Sequence, residues 1–151
     1  MNNGALHRFL AEAVWSPTVL IPSKHLRWSA IDDNMACVTL TAHCVTVSLE
    51  FRFNATGEVV RIFTPKRWGS FGGRYVQKPW EGRFRDYVSV QGMRVPKHGK
   101  VGWYDGIVWE QSGKARFWKP NTTSRADSGH PFFAWAHSMC STNLSGGAHA
   151  S

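Results

Sequence analysis

Residues 79–96 read PWEGRFRDYVSVQGMRVP, and this run decides the fold. It reads as two short strands, Arg83–Val90 and Met93–Pro96, joined at a Gln91-Gly92 turn. Gly92 supplies the positive φ that a tight reversal needs. Pro96 has no N–H to give a ladder and is expected to end the second strand. Trp80, Phe84 and Tyr87 are large apolar bodies of the kind that fill the inside of a curved sheet.

Working outward, the period stays at two on both sides. Val45, Val47, Leu49, Phe51 and Phe53 alternate with Thr46, Ser48, Glu50 and Arg52, the clearest strand in the chain. Asn54-Ala-Thr-Gly57 is a hairpin loop, and Val59–Lys66 returns from it. Upstream, Leu26–Ile31 and Met35–Thr41 read as strands around an Asp32-Asp33-Asn34 turn, with a reversal at Ala42-His43-Cys44. Downstream, Val101–Tyr104, Ile107–Glu110 and Ala115–Trp118 follow, with a turn at Asp105-Gly106. Gly69, Gly72 and Gly73 mark a looser loop. Many short strands and tight turns make an antiparallel sheet.

Helical periodicity appears once. Leu6, Phe9, Leu10, Ala13 and Val14 form one apolar helical face, Asn2 or Asn3 can cap it, and Ser16-Pro17 stops it. Residues 18–22 read as an extended apolar link. One short helix cannot cover a sheet on both faces, so the sheet must curl over its own apolar side. The expected fold is mainly β (α+β): a curved antiparallel sheet or open half-barrel with a short N-terminal helix, one domain over residues 1–120. Residues 121–151 lack a clear period and read as a poorly ordered tail.

The bulk composition sets limits on function. The chain has 151 residues, one domain's worth, with eight Trp and nine Phe for an aromatic core. A net charge of +8 favours an anionic partner without naming one. Cys37, Cys44 and Cys140 are an odd count without a CxxC, so free thiols are expected rather than a disulfide framework. The N-terminus lacks the basic start and long apolar run of a signal peptide, and no stretch is long enough to span a membrane. A cytoplasmic protein is expected.

Several pieces together carry a family resemblance. They are Trp15-Ser16-Pro17 with Leu20 and Pro22, Arg27-Trp28, Ile31-Asp32-Asp33, and Val47–Asn54 with Gly57. Next come Pro79-Trp80-Glu81-Gly82 and Asp86-Tyr87, then Gly92-Met93-Arg94-Val95-Pro96, Gly102-Trp103 and Phe117-Trp118. With its Y-x-x-x-x-G-x-x-x-P spacing, the region from Ala11 to Lys119 resembles an uncharacterised bacterial family of unknown function. That family looks related to LolA-type lipoprotein-carrier half-barrels. Longer members carry more chain ahead of this region, so the chain resembles the family's C-terminal part. The resemblance implies a half-barrel and a carrier-like role, and it brings no catalytic residues.

Familiar catalytic signatures are missing: no G-x-S-x-G elbow, no H-E-x-x-H, no Walker loop. The chemistry left is acids and histidines at turns. Asp32 and Asp33 could offer oxygen ligands to Ca²⁺, although an Asx turn explains them as well. Glu81 and Asp86 are an odd number of residues apart and would face opposite sides of a regular strand. His43 lies beside Cys44, with His98 a more distant partner for that thiol. Asp32, Asp33, His43, Glu81 and Asp86 are the catalytic candidates. Trp28, Trp80, Tyr87, Trp103 and Trp118 are the ligand-binding ones.

Cations and rings also interleave at Arg27-Trp28, Lys66-Arg67-Trp68, Arg83-Phe84-Arg85 and Arg116-Phe117-Trp118-Lys119. Such runs can bind single-stranded nucleic acid, but a half-barrel explains them with rings inward and cations outward, so nucleic acid is the disfavoured partner. An aromatic concave face suits a small amphipathic acyl ligand. Two functions follow. One is a small hydrolase, with or without a divalent ion, cleaving an ester or lactone head such as that of an N-acylhomoserine lactone. The other is a non-catalytic carrier of a lipid or lipoprotein-type cargo. The hydrolase is the expectation, the carrier its alternative.

Overall fold

A computed structural model describes residues 2–116. Helix α1 spans Asn3–Glu12, followed by 3-10 turns at Ala13–Trp15 and Pro17–Leu20. Seven strands follow: β1 (Leu26–Asp32), β2 (Met35–Ala42), β3 (Val45–Phe53), β4 (Val59–Phe71), β5 (Arg74–Val90), β6 (Met93–Asp105) and β7 (Val108–Arg116). They form one antiparallel sheet in the order β1-β2-β3-β4-β5-β6-β7. Each strand pairs with its neighbour in sequence, and among the described residues the sheet is open, with β1 and β7 at its edges.

The elements start and stop where local chemistry dictates. Asn2 caps α1, its side-chain oxygen accepting from Ala5 N at 2.8 Å. Asn54 holds the β3–β4 turn by accepting from Thr56 N and Glu58 N, and Gly57 there has φ of 80°. His43 and Cys44, both left-handed, form the two-residue turn between the paired Ala42 and Val45.

Four sequence expectations need correction. Pro96 does not end a strand, because β6 runs on to Asp105 with Pro96 opposite Tyr87. The register runs unbroken past the proline, from Arg85↔His98 to Tyr87↔Pro96, and Asp86 across from it takes a left-handed φ of 60°. The glycines at 69–73 are no loose loop: β4 and β5 pair up to Phe71 and Arg74 around a Gly72-Gly73 turn. Residues 17–20 are a 3-10 turn rather than an extended link. Strands expected separately at Ile107–Glu110 and Ala115–Trp118 merge into β7, as far as Arg116. Phe117, Trp118 and the expected tail at 121–151 lie outside the described residues.

One extra residue in β4 sets the architecture. The ladder pairs Thr64 with Trp80 and then Arg67 with Lys78, three steps on β4 against two on β5. Pro65 and Lys66 form this bulge. The surplus residue reverses the alternation, so Ile62 and Thr64 face the core before it, and Arg67 and Gly69 face the same side after it. Beyond the bulge β4 stays with β5 and parts from β3, whose ladder to β4 covers only Glu50–Phe53. Helix α1 packs against both strands at this divergence.

The core lies between α1 and the sheet. Leu6, Leu10 and Val14 meet Val38, Val47, Leu49, Phe51, Ile62, Trp80, Phe84 and Val101. Trp15 anchors the segment after α1: its Nε1 donates to Pro96 O at 3.0 Å, and its ring meets Phe84 edge-on at 5.1 Å. Across β6, Gly99 admits that ring, since a Cβ there would come within 2.8 Å of it. Tyr87 OH donates to Val59 O at 2.6 Å. Burial, then the charge of Glu58, pushes this phenol up, so it stays a donor. Removing that donor in Tyr87→Phe orphans a buried carbonyl and lowers unfolding free energy by about 1–2 kcal/mol in urea titration.

His7 is the polar group on the docked face of α1. It is 3% exposed, with Nδ1 2.8 Å from Asn3 Oδ1. Burial, then the nearby Arg67 charge, brings its pKa down to about 4 against the pull of hydrogen bonds at Asn3 and Ser48. The unfolded chain takes up this proton near pH 6.5 and the folded one only near 4. Stability is therefore intact above pH 6.5 and falls as pH drops towards 4, by on the order of 2–3 kcal/mol. Urea midpoints from pH 7.5 to 4.5 should fall in the wild type, and His7→Gln should flatten that slope.

Candidate functional site

The sheet carries charge chemistry on both faces, and the outer one is the more ordered. Glu81 sits on β5 facing away from the core, yet is 2% exposed. Arg61 covers it with Nη2 at 2.7 Å, Arg83 with Nε at 2.5 Å, and Tyr104 OH donates to it at 2.7 Å. Arg83 in turn stacks 4.1 Å over the Trp109 ring, and Arg61 5.0 Å over Phe63. Burial pushes the Glu81 carboxyl up, but the hydrogen bonds from Arg61, Tyr104 and Arg83 outweigh it and hold it below the ordinary carboxylate range. It remains ionised at neutral pH and has no proton to give as a general acid.

The other acids lie apart from it. Asp32 and Asp33 are exposed at the β1–β2 turn, where Asp32 Oδ1 accepts from Asn34 N at 2.7 Å. This is the Asx geometry that serves as the alternative to a metal pair. Among the described residues no group of three or more His, Cys, Asp or Glu side chains is gathered to hold a metal ion. Asp86 meets His98 Nδ1 at 2.7 Å and Arg85 Nη1 at 3.0 Å, on an exposed part of the sheet. His43 is exposed in its turn, and Cys37 and Cys44 are free thiols. Glu81 and Asp86 are not brought together, as their odd spacing predicts.

Among the ring candidates, Trp80 is fully buried, and Trp28 packs on Phe51 at 5.4 Å with Nε1 donating to Leu20 O. Tyr87 is tied to Val59. Trp103 is half-buried beside Trp80, its cross-strand partner, and meets Phe71 edge-on at 5.0 Å. Gly69 makes room for it, because a Cβ there would lie 2.7 Å from the indole. Trp118 lies outside the described residues.

Arg67 departs from the rule of rings inward and cations outward. Arg27, Arg83 and Arg85 are exposed as that rule expects, but Arg67 is 7% exposed. The bulge turns it onto the core face, where its guanidinium lies 4.5 Å from the Trp80 ring and 5.3 Å from Trp103. Among the described residues its side chain makes no hydrogen bond or ion pair, and its buried Nε has no acceptor. Trp80 Nε1 is also buried without an acceptor among the described residues. Burial, then repulsion from Arg8, brings the guanidinium down to about 10, so it is still a cation at neutral pH.

The rule of rings inward and cations outward puts Trp68 inward and Arg67 outward. The signal for the reversal was Pro65, whose missing N–H favours a break in the ladder. Close by, α1, β2, β3 and β4 enclose a cleft of about 260 Å³ lined by Asn3, His7, Cys37, Ser48, Thr64 and Lys66, among others.

Compared with known families, residues 1–111 match a family of unknown function, DUF6544. The chain belongs to that family. No curated protein and no solved structure matches it.

The outer cluster makes a direct prediction. Glu81→Gln leaves two arginines without their counter-charge, and because both are a third or more exposed the cost stays at about 1–3 kcal/mol. A lowered urea midpoint with unchanged far-UV circular dichroism is the expected result.

Proposed function

We propose that this domain binds an amphipathic ligand with an apolar, acyl-type chain without transforming it, the carrier role that the sequence leaves open beside hydrolysis. The observation that carries it is the run of rings on the core face beyond α1. Phe71 and Trp103 stay half-buried next to the unpaired Arg67, so apolar surface and a cation adjoin. Each methylene buried against such rings contributes about 0.8 kcal/mol, so a chain of about ten carbons reaches micromolar affinity. The acids that hydrolysis would call on are engaged elsewhere: Glu81 in its ion pairs and Asp32 in its turn.

One observation favours a hydrolase as the second reading. Asp86 holds His98 through Nδ1 at 2.7 Å, which orients an imidazole for taking a proton from water. Such an enzyme would open an ester or lactone head, with a divalent ion at Asp32 and Asp33 as an optional aid.

N-decanoyl-homoserine lactone distinguishes the two. The protein is incubated with it, with and without EDTA, and both ring opening and bound lactone are measured. Micromolar binding with the lactone recovered intact is expected. Ring opening above buffer that disappears in His98→Ala would sink the carrier role in favour of the hydrolase. Turnover lost in EDTA and restored by Ca²⁺ would assign it to a metal.

A further inference from the structure

We propose that Arg67 is the head-group site for the carboxylate of a fatty-acid-like ligand. This rests on the binding role above and names what that site selects.

A buried cation without a partner is costly, because desolvation is not repaid. Arginine cannot escape by losing its proton at neutral pH, even brought down to about 10. Tyr75 and Glu12 pull the guanidinium's pKa back up only in part, and Glu12 Oε1 is itself paired with Arg8 Nε at 2.7 Å. Trp80 and Trp103 engage the guanidinium through their rings. Ring contacts of this kind use its flat face and leave the in-plane N–H edge for an acceptor. A carboxylate matches that fork with two parallel hydrogen bonds.

The charge balance selects a monoanion. His7, which feels the Arg67 charge, is neutral at pH 7 with its pKa down to about 4. Lys78, opposite Arg67 on β5, is paired with Asp105 at 3.2 Å, and Arg8 with Glu12, so the Arg67 charge is the one here without an ion pair among the described residues. A phosphate dianion would leave one negative charge buried and unmatched. The apolar remainder of the ligand then lies along Trp103 and Phe71, which meet at 5.0 Å on the same side of the sheet.

Isothermal titration of the full chain with decanoate, 1-decanol and sodium acetate tests this in the wild type, Arg67→Met and Arg67→Lys. The wild type should bind decanoate about tenfold or more tighter than decanol. Arg67→Met should bring decanoate down to the level of decanol. Equal wild-type affinity for the two overturns the carboxylate site while the binding role stands. If neither acyl compound binds but acetate raises the Tm only when Arg67 is present, the anion site stands and the acyl-binding role falls. No response to any of the three overturns both. Should Arg67→Met fail to fold by circular dichroism, Arg67→Lys decides. An ammonium cannot stack and present two parallel N–H groups together, so the preference must fall severalfold, and an undiminished preference refutes the site.

Discussion

Everything distinctive in this domain depends on one residue too many in β4. A regular antiparallel ladder keeps each face consistent along a strand, and a single inserted residue reverses every side chain beyond it. Here the insertion at Pro65–Lys66 lets β4 leave β3 and continue with β5 alone. The gap it opens is where α1 docks, and the reversal puts Arg67 rather than Lys66 onto the core face. A helix in the gap also shields part of the unpaired edge of β3, which would otherwise offer free main-chain groups to another chain.

The two charged clusters show opposite solutions to the same problem. Glu81 is buried but meets three donors, so its ionised form is held firmly. Arg67 is buried with rings on its face and no acceptor on its edge. One is a closed network that fastens β4, β5 and β6 together, and the other is open. A family with no assigned function gives no guide to choosing between them. The physical distinction is that a satisfied cluster has nothing left to bind, whereas an unsatisfied one still has a donor to offer.

Strand periodicity made much of this fold legible. The alternation over Val45–Phe53 gave β3 its length and its buried face, and Asn2, Asn54 and Gly57 marked a cap and a turn correctly. The failures share a cause. Pro96 and the glycines at 69–73 look like strand breakers, but the ladders run past Pro96 and up to the Gly72-Gly73 turn, with Gly69 making room for the Trp103 ring. Arg67 was hidden for a related reason: a bulge is a property of two strands together, and one strand's sequence states only half of it. The pairing of Asp86 with His98 across β5 and β6 was equally a matter of register.

The sheet order has a consequence for assembly. With every ladder joining strands adjacent in the chain, each pairing closes only a short loop and the strands can zip up in succession. The contact of Trp15 with Pro96 instead spans 81 residues. The segment after α1 therefore leaves a ribosome early but cannot take its seat until β6 exists. Until then Trp15, Leu10 and Val14 have no finished wall to rest on, and their apolar surface stays open to wrong contacts during synthesis.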